Sequence, residues 1–271
     1  MARPVTPSRP HHVHRIGLIG SGALGQLIRE RLEARAIPTA ELVSVFSLDE
    51  GSLEHVLENC DIVVEAAGQT ALKTHGPSIV ARGKTLVALS NGALADDEMA
   101  RLLTSGPGRF VPSAGAIGGF DLIDALRISG QLTTVSLHTV KAPPSLVQPW
   151  MSDEQRQVLE SGNDFVNVFT GSARDATRLF PANANVAATL GVRSIGLDRT
   201  GVIIDADPAV PSTRHTVTLE SELGRYEMTF ANTPSIINPK SSELAAFSVL
   251  HDLEQLTSAN VVLIDQGESN S

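Results

Sequence analysis

An apolar run at residues 16–19 leads straight into Gly20-Ser21-Gly22-Ala23-Leu24-Gly25, and that succession leaves the chain few folds to choose from. The run is too short for a helix and reads as a buried strand, whereas residues 23–36 repeat apolar side chains at helical spacing. The glycines therefore sit in a tight strand-to-helix turn, the context that gives a Gly-x-Gly-x-x-Gly string its meaning. Gly20 permits the turn, Gly22 removes a Cβ from the path of a pyrophosphate, and Gly25 lets the helix lie close to the strand. The N–H groups around Ala23 and Leu24, at the positive end of the helix dipole, favour phosphates. A tight turn that binds nothing is the alternative.

The same alternation continues to about residue 112. Apolar runs at 42–46, 62–64, 86–89 and 110–111 read as parallel strands. A helix is expected over 71–82, ended by Gly83 and kinked or split at Gly76-Pro77. This is the pattern of an α/β, doubly wound Rossmann domain, with NAD or NADP as cofactor. At the end of the second strand, Ser47 takes the position where an acidic residue would hold the ribose 2′-hydroxyl, with Asp49 close behind. A neutral serine repels no 2′-phosphate and no arginine stands beside it to attract one, so both nucleotides stay open.

Beyond Gly119 the pattern changes to that of a second α+β domain for substrate. Strands are expected at 132–140 and 202–204, a small-residue helix at 183–194, and a hairpin from 215–220 and 226–230 around Leu223-Gly224-Arg225. A helix at 241–256 is placed to pack back on the first domain, with Ser241 or Ser242 as its cap. The expected division is 1–119, with a disordered tail at 1–14, then 120–239 and 240–271.

Net charge is −9, which disfavours nucleic acid, and no apolar run is long enough to span a bilayer. Cys60 is the single cysteine and no signal-peptide pattern opens the chain, so a reducing cytoplasm is expected. The histidines at 11, 12 and 14 read as part of a solvated tail, His138 and His251 have no partner at ligand spacing, and no metal is expected. His215 shares a strand face with Val217 and Leu219 and should point inward, as a core histidine or a catalytic one with an ordinary pKa near 6.5. Lys141 and Lys240 are basic residues in otherwise uncharged, proline-marked segments, with Ser241 and Ser242 next to the second. Acidic residues at 96–98 read as a helix start.

Several separated segments resemble the L-aspartate dehydrogenase family. They are Ser90-Asn91-Gly92-Ala93-Leu94, Ser113-Ala114-Gly115-Ala116-Ile117-Gly118-Gly119, Phe180-Pro181-Ala182-Asn183-Ala184-Asn185 with the residues to Thr189, and Asn238-Pro239-Lys240-Ser241-Ser242. The resemblance implies oxidation of L-aspartate by NAD or NADP to iminosuccinate, then oxaloacetate and ammonia, with the reverse amination, a link to NAD biosynthesis and a homodimer. It implies that Ala116 and Asn185 meet the nicotinamide end and that His215 is catalytic. A substrate with two carboxylates would draw on Lys141, Lys240 and Ser241. The alternatives are a homoserine dehydrogenase-like or dihydrodipicolinate reductase-like enzyme of similar architecture, or a non-catalytic nucleotide sensor.

Overall fold

The computed structural model describes residues 12–181, 184–233, 235 and 242–258. The first part of the chain runs β1 (His14–Ile19), α1 (Ala23–Glu33), β2 (Ala40–Phe46), α2 (Leu53–Asn59), β3 (Ile62–Glu65), α3 (Gln69–Ala81), β4 (Thr85–Ala88), α4 (Asp97–Thr104) and β5 (Arg109–Pro112). Its strands pair in parallel in the order β2-β1-β3-β4-β5. All four residues of β3 are buried, as they must be in a sheet covered by helices on both faces. One face packs Ile16, Leu18 and Val64 against Ile28 and Leu32 of α1; the other packs Ile19, Val63 and Leu86 against Leu72 and Ile79 of α3. The order reverses between β2 and β3 on either side of β1, which puts the topological switch point at the end of β1.

The second part runs α5 (Phe120–Ser129), β6 (Leu132–Lys141), α6 (Asp153–Ser161), β7 (Val166–Ser172), α7 (Ala173–Leu179), α8 (Asn185–Arg193), β8 (Gly201–Ala206), β9 (Thr213–Ser221), β10 (Gly224–Asn232) and α9 (Leu244–Thr257). Here the order is β10-β9-β6-β8-β7, with β6 and β8 parallel and the other pairs antiparallel. Val135, Leu137, Val217 and Leu219 line the covered face, packed with Phe120, Ile123 and Phe180. The chain then returns to the first sheet: Ala246, Val249, Leu250 and Leu253 of α9 join the cluster of Ile28, Leu32, Val64 and Val87.

Four local expectations are corrected, the last being the reach of the tail expected at 1–14. Helix α1 stops at Glu33, short of residue 36, because Arg35 turns to φ 55° just ahead of Pro38. Helix α3 runs unbroken through Gly76-Pro77. The missing N–H costs roughly 3 kcal/mol, but Leu72, Ile79 and Val80 are all fully buried on the sheet and keep the segments on both sides of the proline helical. Helix α9 begins at Leu244 with Glu243 as its N-cap; Ser242 still accepts the Leu244 N–H at 3.2 Å, while the Glu243 carboxylate takes the Ser235 hydroxyl at 3.0 Å. Ser241 lies outside the described residues. The strand that became β1 starts at His14, whose N–H is donated to the Thr39 carbonyl at 2.8 Å.

Candidate active site

The carboxyl ends of the first sheet's strands all release loops to one side, and the glycine turn is the first of them. Gly20 adopts φ 114°, and a Cβ there would lie 2.7 Å from the carbonyl of Ala66. A Cβ on Gly25 would lie 2.3 Å from the Gly20 oxygen, so the helix can approach the strand only without one. At Gly22 nothing stands within 4 Å of the Cβ position. Two of the three glycines are thus required by the protein's own packing, whereas Gly22 faces open space beside the unpaired N–H groups of the first helical turn, Ala23 and Leu24 among them. That cradle fits a dinucleotide pyrophosphate. Ser47 follows β2 directly; its N–H is donated to the Glu50 carbonyl and its hydroxyl accepts the Asp49 N–H at 3.3 Å.

Behind the turn sits a residue the sequence reading missed. Glu65 ends β3 and is 1% exposed. One carboxylate oxygen accepts the N–H groups of Ala67 and Gly68, both at 2.8 Å, and the Ser90 hydroxyl at 2.9 Å; the other accepts the Ser90 N–H at 3.1 Å. Burial pushes its carboxyl above the usual range, and these four donors pull it back. Glu65 thereby fastens the loop that Gly20 packs against to the loop after β4. The only signal in the sequence is a charge closing an apolar run, which a solvated strand end would explain as well.

The loop after β5 joins the two sheets. The Asn91 amide donates to the Ser113 carbonyl at 3.0 Å and to the Thr189 hydroxyl at 2.8 Å. Asn185, at the start of α8, accepts the Gly92 N–H at 3.0 Å and the Gln69 amide at 3.3 Å, so its side chain pins α8 to the first sheet's loops. The Ala116 carbonyl accepts the Asn232 amide at 2.7 Å, and Gly118 lies against the ring of Phe230. Phe230 is in turn the register partner of His215.

His215 points inward as its strand phase requires and is 4% exposed. It shares the covered face of the second sheet with Thr139 and Lys141 of β6, themselves 4% and 6% exposed, at the end of the sheet beyond the apolar core. The Thr139 hydroxyl and His215 Nδ1 are 2.9 Å apart. An ordinary pKa does not survive this setting: burial and the nearby Lys141 charge push the imidazole down to about 3. Burial also brings the Lys141 ammonium down to about 8. The structure therefore holds a neutral imidazole beside a lysine that titrates in the mildly alkaline range, both buried.

Lys240 lies outside the described residues, with Ser241. His138 faces the other side of the second sheet and pairs with Asp205 at 2.6 Å. His12, His14 and Asp61 bring one ligand atom each within 4.8 Å of one another at the opposite end of β1 from the glycine turn. Asp96 caps α4 through the N–H groups of Glu98 and Met99, as its helix-start position suggests. Burial pushes the Cys60 thiol up to about 11, which favours the thiol over the thiolate at neutral pH.

A parallel sheet with a dinucleotide cradle at its switch point, followed by a second sheet that buries a histidine and a lysine on one face, defines a nicotinamide-dependent oxidoreductase. Residues 16–105 match the family described as homoserine dehydrogenase, NAD binding domain, and residues 121–256 match aspartate dehydrogenase, C-terminal. The chain belongs to the L-aspartate dehydrogenase family. It is 32% identical to an L-aspartate dehydrogenase of Serratia proteamaculans over 92% of this chain and 99% of that one, and 31% identical to one of Methanosarcina barkeri over 90% and 97%. The crystal structure of aspartate dehydrogenase from Thermotoga maritima superposes with a TM-score of 0.72 at 27% identity, covering 93% of this chain and all of that one. A hyperthermophilic archaeal homoserine dehydrogenase, at 12% identity and a TM-score of 0.54, shares the fold alone.

Proposed function

We propose that this enzyme oxidises L-aspartate with NAD or NADP to iminosuccinate, which hydrolyses to oxaloacetate and ammonia, and that it runs the reverse amination. The observation that carries the reading is the buried face of Lys141, Thr139 and His215, joined through Phe230 and Gly118 to the loop after β5. When bound, the nicotinamide supplies the hydride acceptor. The cradle of Gly20, Gly22, Ala23, Leu24 and Gly25 would hold its pyrophosphate, Ser47 would serve the adenosine ribose, and Ala116 and Asn185 would serve the nicotinamide end. His215, neutral in the free enzyme, accepts a proton from the substrate ammonium or from the water that attacks the imine once the substrate carboxylates offset the burial and the Lys141 charge that depress it. Lys141 holds one carboxylate as an ammonium, and Lys240 with Ser241 serves the other.

An assay of aspartate, homoserine and buffer alone with NAD+ and with NADP+ tests this. Nucleotide reduction is expected with aspartate only. Reduction driven by homoserine would transfer the assignment to the homoserine dehydrogenase-like reading, and binding without turnover would make the chain a nucleotide sensor.

Lys141 adds a pH dependence of definite sign. Before substrate binds, its ammonium is lost as pH rises through about 8, so the aspartate KM is expected to climb above that pH, displaced upward by the substrate carboxylate itself. Lys141→Ala is expected to raise KM about 10- to 100-fold at neutral pH and to flatten its alkaline limb. A variant with the parent's KM at every pH between 7 and 10 removes Lys141 from the substrate site.

The same reading divides the chain into a Rossmann domain at 1–119, a substrate domain at 120–239 and a returning segment at 240–271. It places the enzyme in the cytoplasm, supplying an imine to NAD biosynthesis, with small molecules rather than nucleic acid or membrane as its partners. Among the described residues no helix is long and apolar enough to cross a membrane. A homodimer formed through the open face of the second sheet, which carries Thr134, Ile203, Thr216 and Thr229, completes it. A monomeric mass in light scattering at micromolar concentration removes the dimer.

A further inference from the structure

We infer that Thr139 is a positioning residue for the reaction: its buried hydroxyl accepts the Nδ1 proton of His215 and so turns an Nε2 lone pair toward the substrate. The inference rests on His215 being the proton acceptor proposed above. Thr139 and His215 are directly opposite in the antiparallel register of β6 and β9, so the sheet itself sets hydroxyl beside ring. Threonine is stiff about χ1, and both side chains are 4% exposed, which leaves neither room to swing away. The 2.9 Å contact is therefore fixed by the fold rather than by a mobile surface rotamer.

The chemistry of the partner matters as much as its position. A neutral imidazole carries one proton, and whichever nitrogen holds it decides whether the other can accept. A hydroxyl that donated to Nδ1 would force the proton onto Nε2 and disarm the ring as a base. A hydroxyl that accepts leaves Nε2 free, and it goes on accepting after the ring is protonated, since Nδ1–H is present in both states. A carboxylate in its place would hold the imidazolium and raise its pKa. On its opposite face the second sheet sets a histidine against a carboxylate, His138 with Asp205 at 2.6 Å, so histidine partners in this protein are not all of one kind. Burial and the Lys141 charge keep the ring unprotonated, and a neutral acceptor orients it without opposing them.

The test uses the whole protein with Thr139→Val, Thr139→Ser and His215→Ala side by side. Nitrogen-15 NMR of histidine-labelled wild-type protein is expected to show His215 as the Nδ1–H tautomer, a readout that needs no variant to fold. In Thr139→Val the tautomers are expected to mix and kcat to fall on the order of 10- to 1000-fold, with nucleotide affinity and aspartate KM within about threefold of wild type. Thr139→Ser is expected to restore most of kcat, and Thr139→Val is expected to cost nothing further in the His215→Ala background. An Nε2–H tautomer in the wild type overturns the inference, as does a serine variant as slow as the valine one, which would make the methyl group's packing responsible. Normal kcat in Thr139→Val beside an inactive His215→Ala overturns this inference alone. Turnover that survives His215→Ala overturns the assignment of His215, and this inference with it.

Discussion

Replacing His215 with alanine is expected to lower kcat with aspartate by roughly 10²–10⁴-fold, the usual worth of a general acid–base group, while nucleotide affinity holds. The split follows from geometry, because the ring sits on the second sheet and the pyrophosphate cradle at the end of β1 on the first. A histidine that merely filled the core would behave in the opposite way. Its removal would leave the buried Thr139 hydroxyl without its ring partner and cost about 1–3 kcal/mol of stability, with turnover per folded molecule unchanged. Stability against pH supplies a second signature. The folded ring is depressed to about 3 and the unfolded one titrates near 6.5, so the stability tied to its neutral form is complete above pH 6.5 and is lost as pH falls from there toward 3. Within that window the wild-type unfolding free energy is expected to drop more steeply than that of His215→Ala, by up to about 1.4 kcal/mol per pH unit. Near-normal kcat in the folded variant would take His215 out of the mechanism.

What could be read in advance divides along the line between local and non-local information. The first sheet was legible strand by strand because buried parallel strands are short apolar runs, and the hairpin of β9 and β10 because it alternates around a tight turn. That alternation also fixed which way His215 faces. It could not fix the pKa, which depends first on burial and then on the Lys141 charge, both products of a pairing of β6 with β9 that spans 76 residues between Thr139 and His215. Lys141 was legible as a basic residue out of place, but its burial was not, since a lysine followed by Ala142-Pro143-Pro144 reads equally well as a loop. Glu65 was invisible for the same reason: its four donors come from residues 67, 68 and 90, and only the finished sheet collects them. Helix α3 shows the converse error, where a local rule about proline was overridden by burial on the sheet. The edge strand β7 went unread because its residues are mostly half-buried and its partner β8 lies about thirty residues further on.

The glycine turn gives the last expected result, and the structure says which glycine to change. Gly20 and Gly25 are poor choices: a side chain at either meets backbone at 2.7 or 2.3 Å, so any loss of binding would be inseparable from a displaced helix or loop. Gly22 differs in both respects that matter. Its backbone, at φ −69° and ψ 179°, is extended and open to any residue, and its Cβ direction is clear of protein atoms. Valine there should therefore fold, at a cost of about 1 kcal/mol or less for a poorer helix cap. Its branched side chain would nevertheless fill the space beside the first-turn N–H groups, where the phosphates must come to be held. Losing two or more charge-assisted hydrogen bonds at about 1.5 kcal/mol or more each corresponds to a weakening on the order of 100-fold or greater, equal for NAD and NADP because the pyrophosphate is common to both. Fluorescence titration with each reduced nucleotide, beside a denaturation midpoint on the same preparation, measures the two effects separately. A folded Gly22→Val protein that binds either nucleotide as tightly as the parent would show that the pyrophosphate lies elsewhere, and the cradle at the end of β1 would then be only a tight turn.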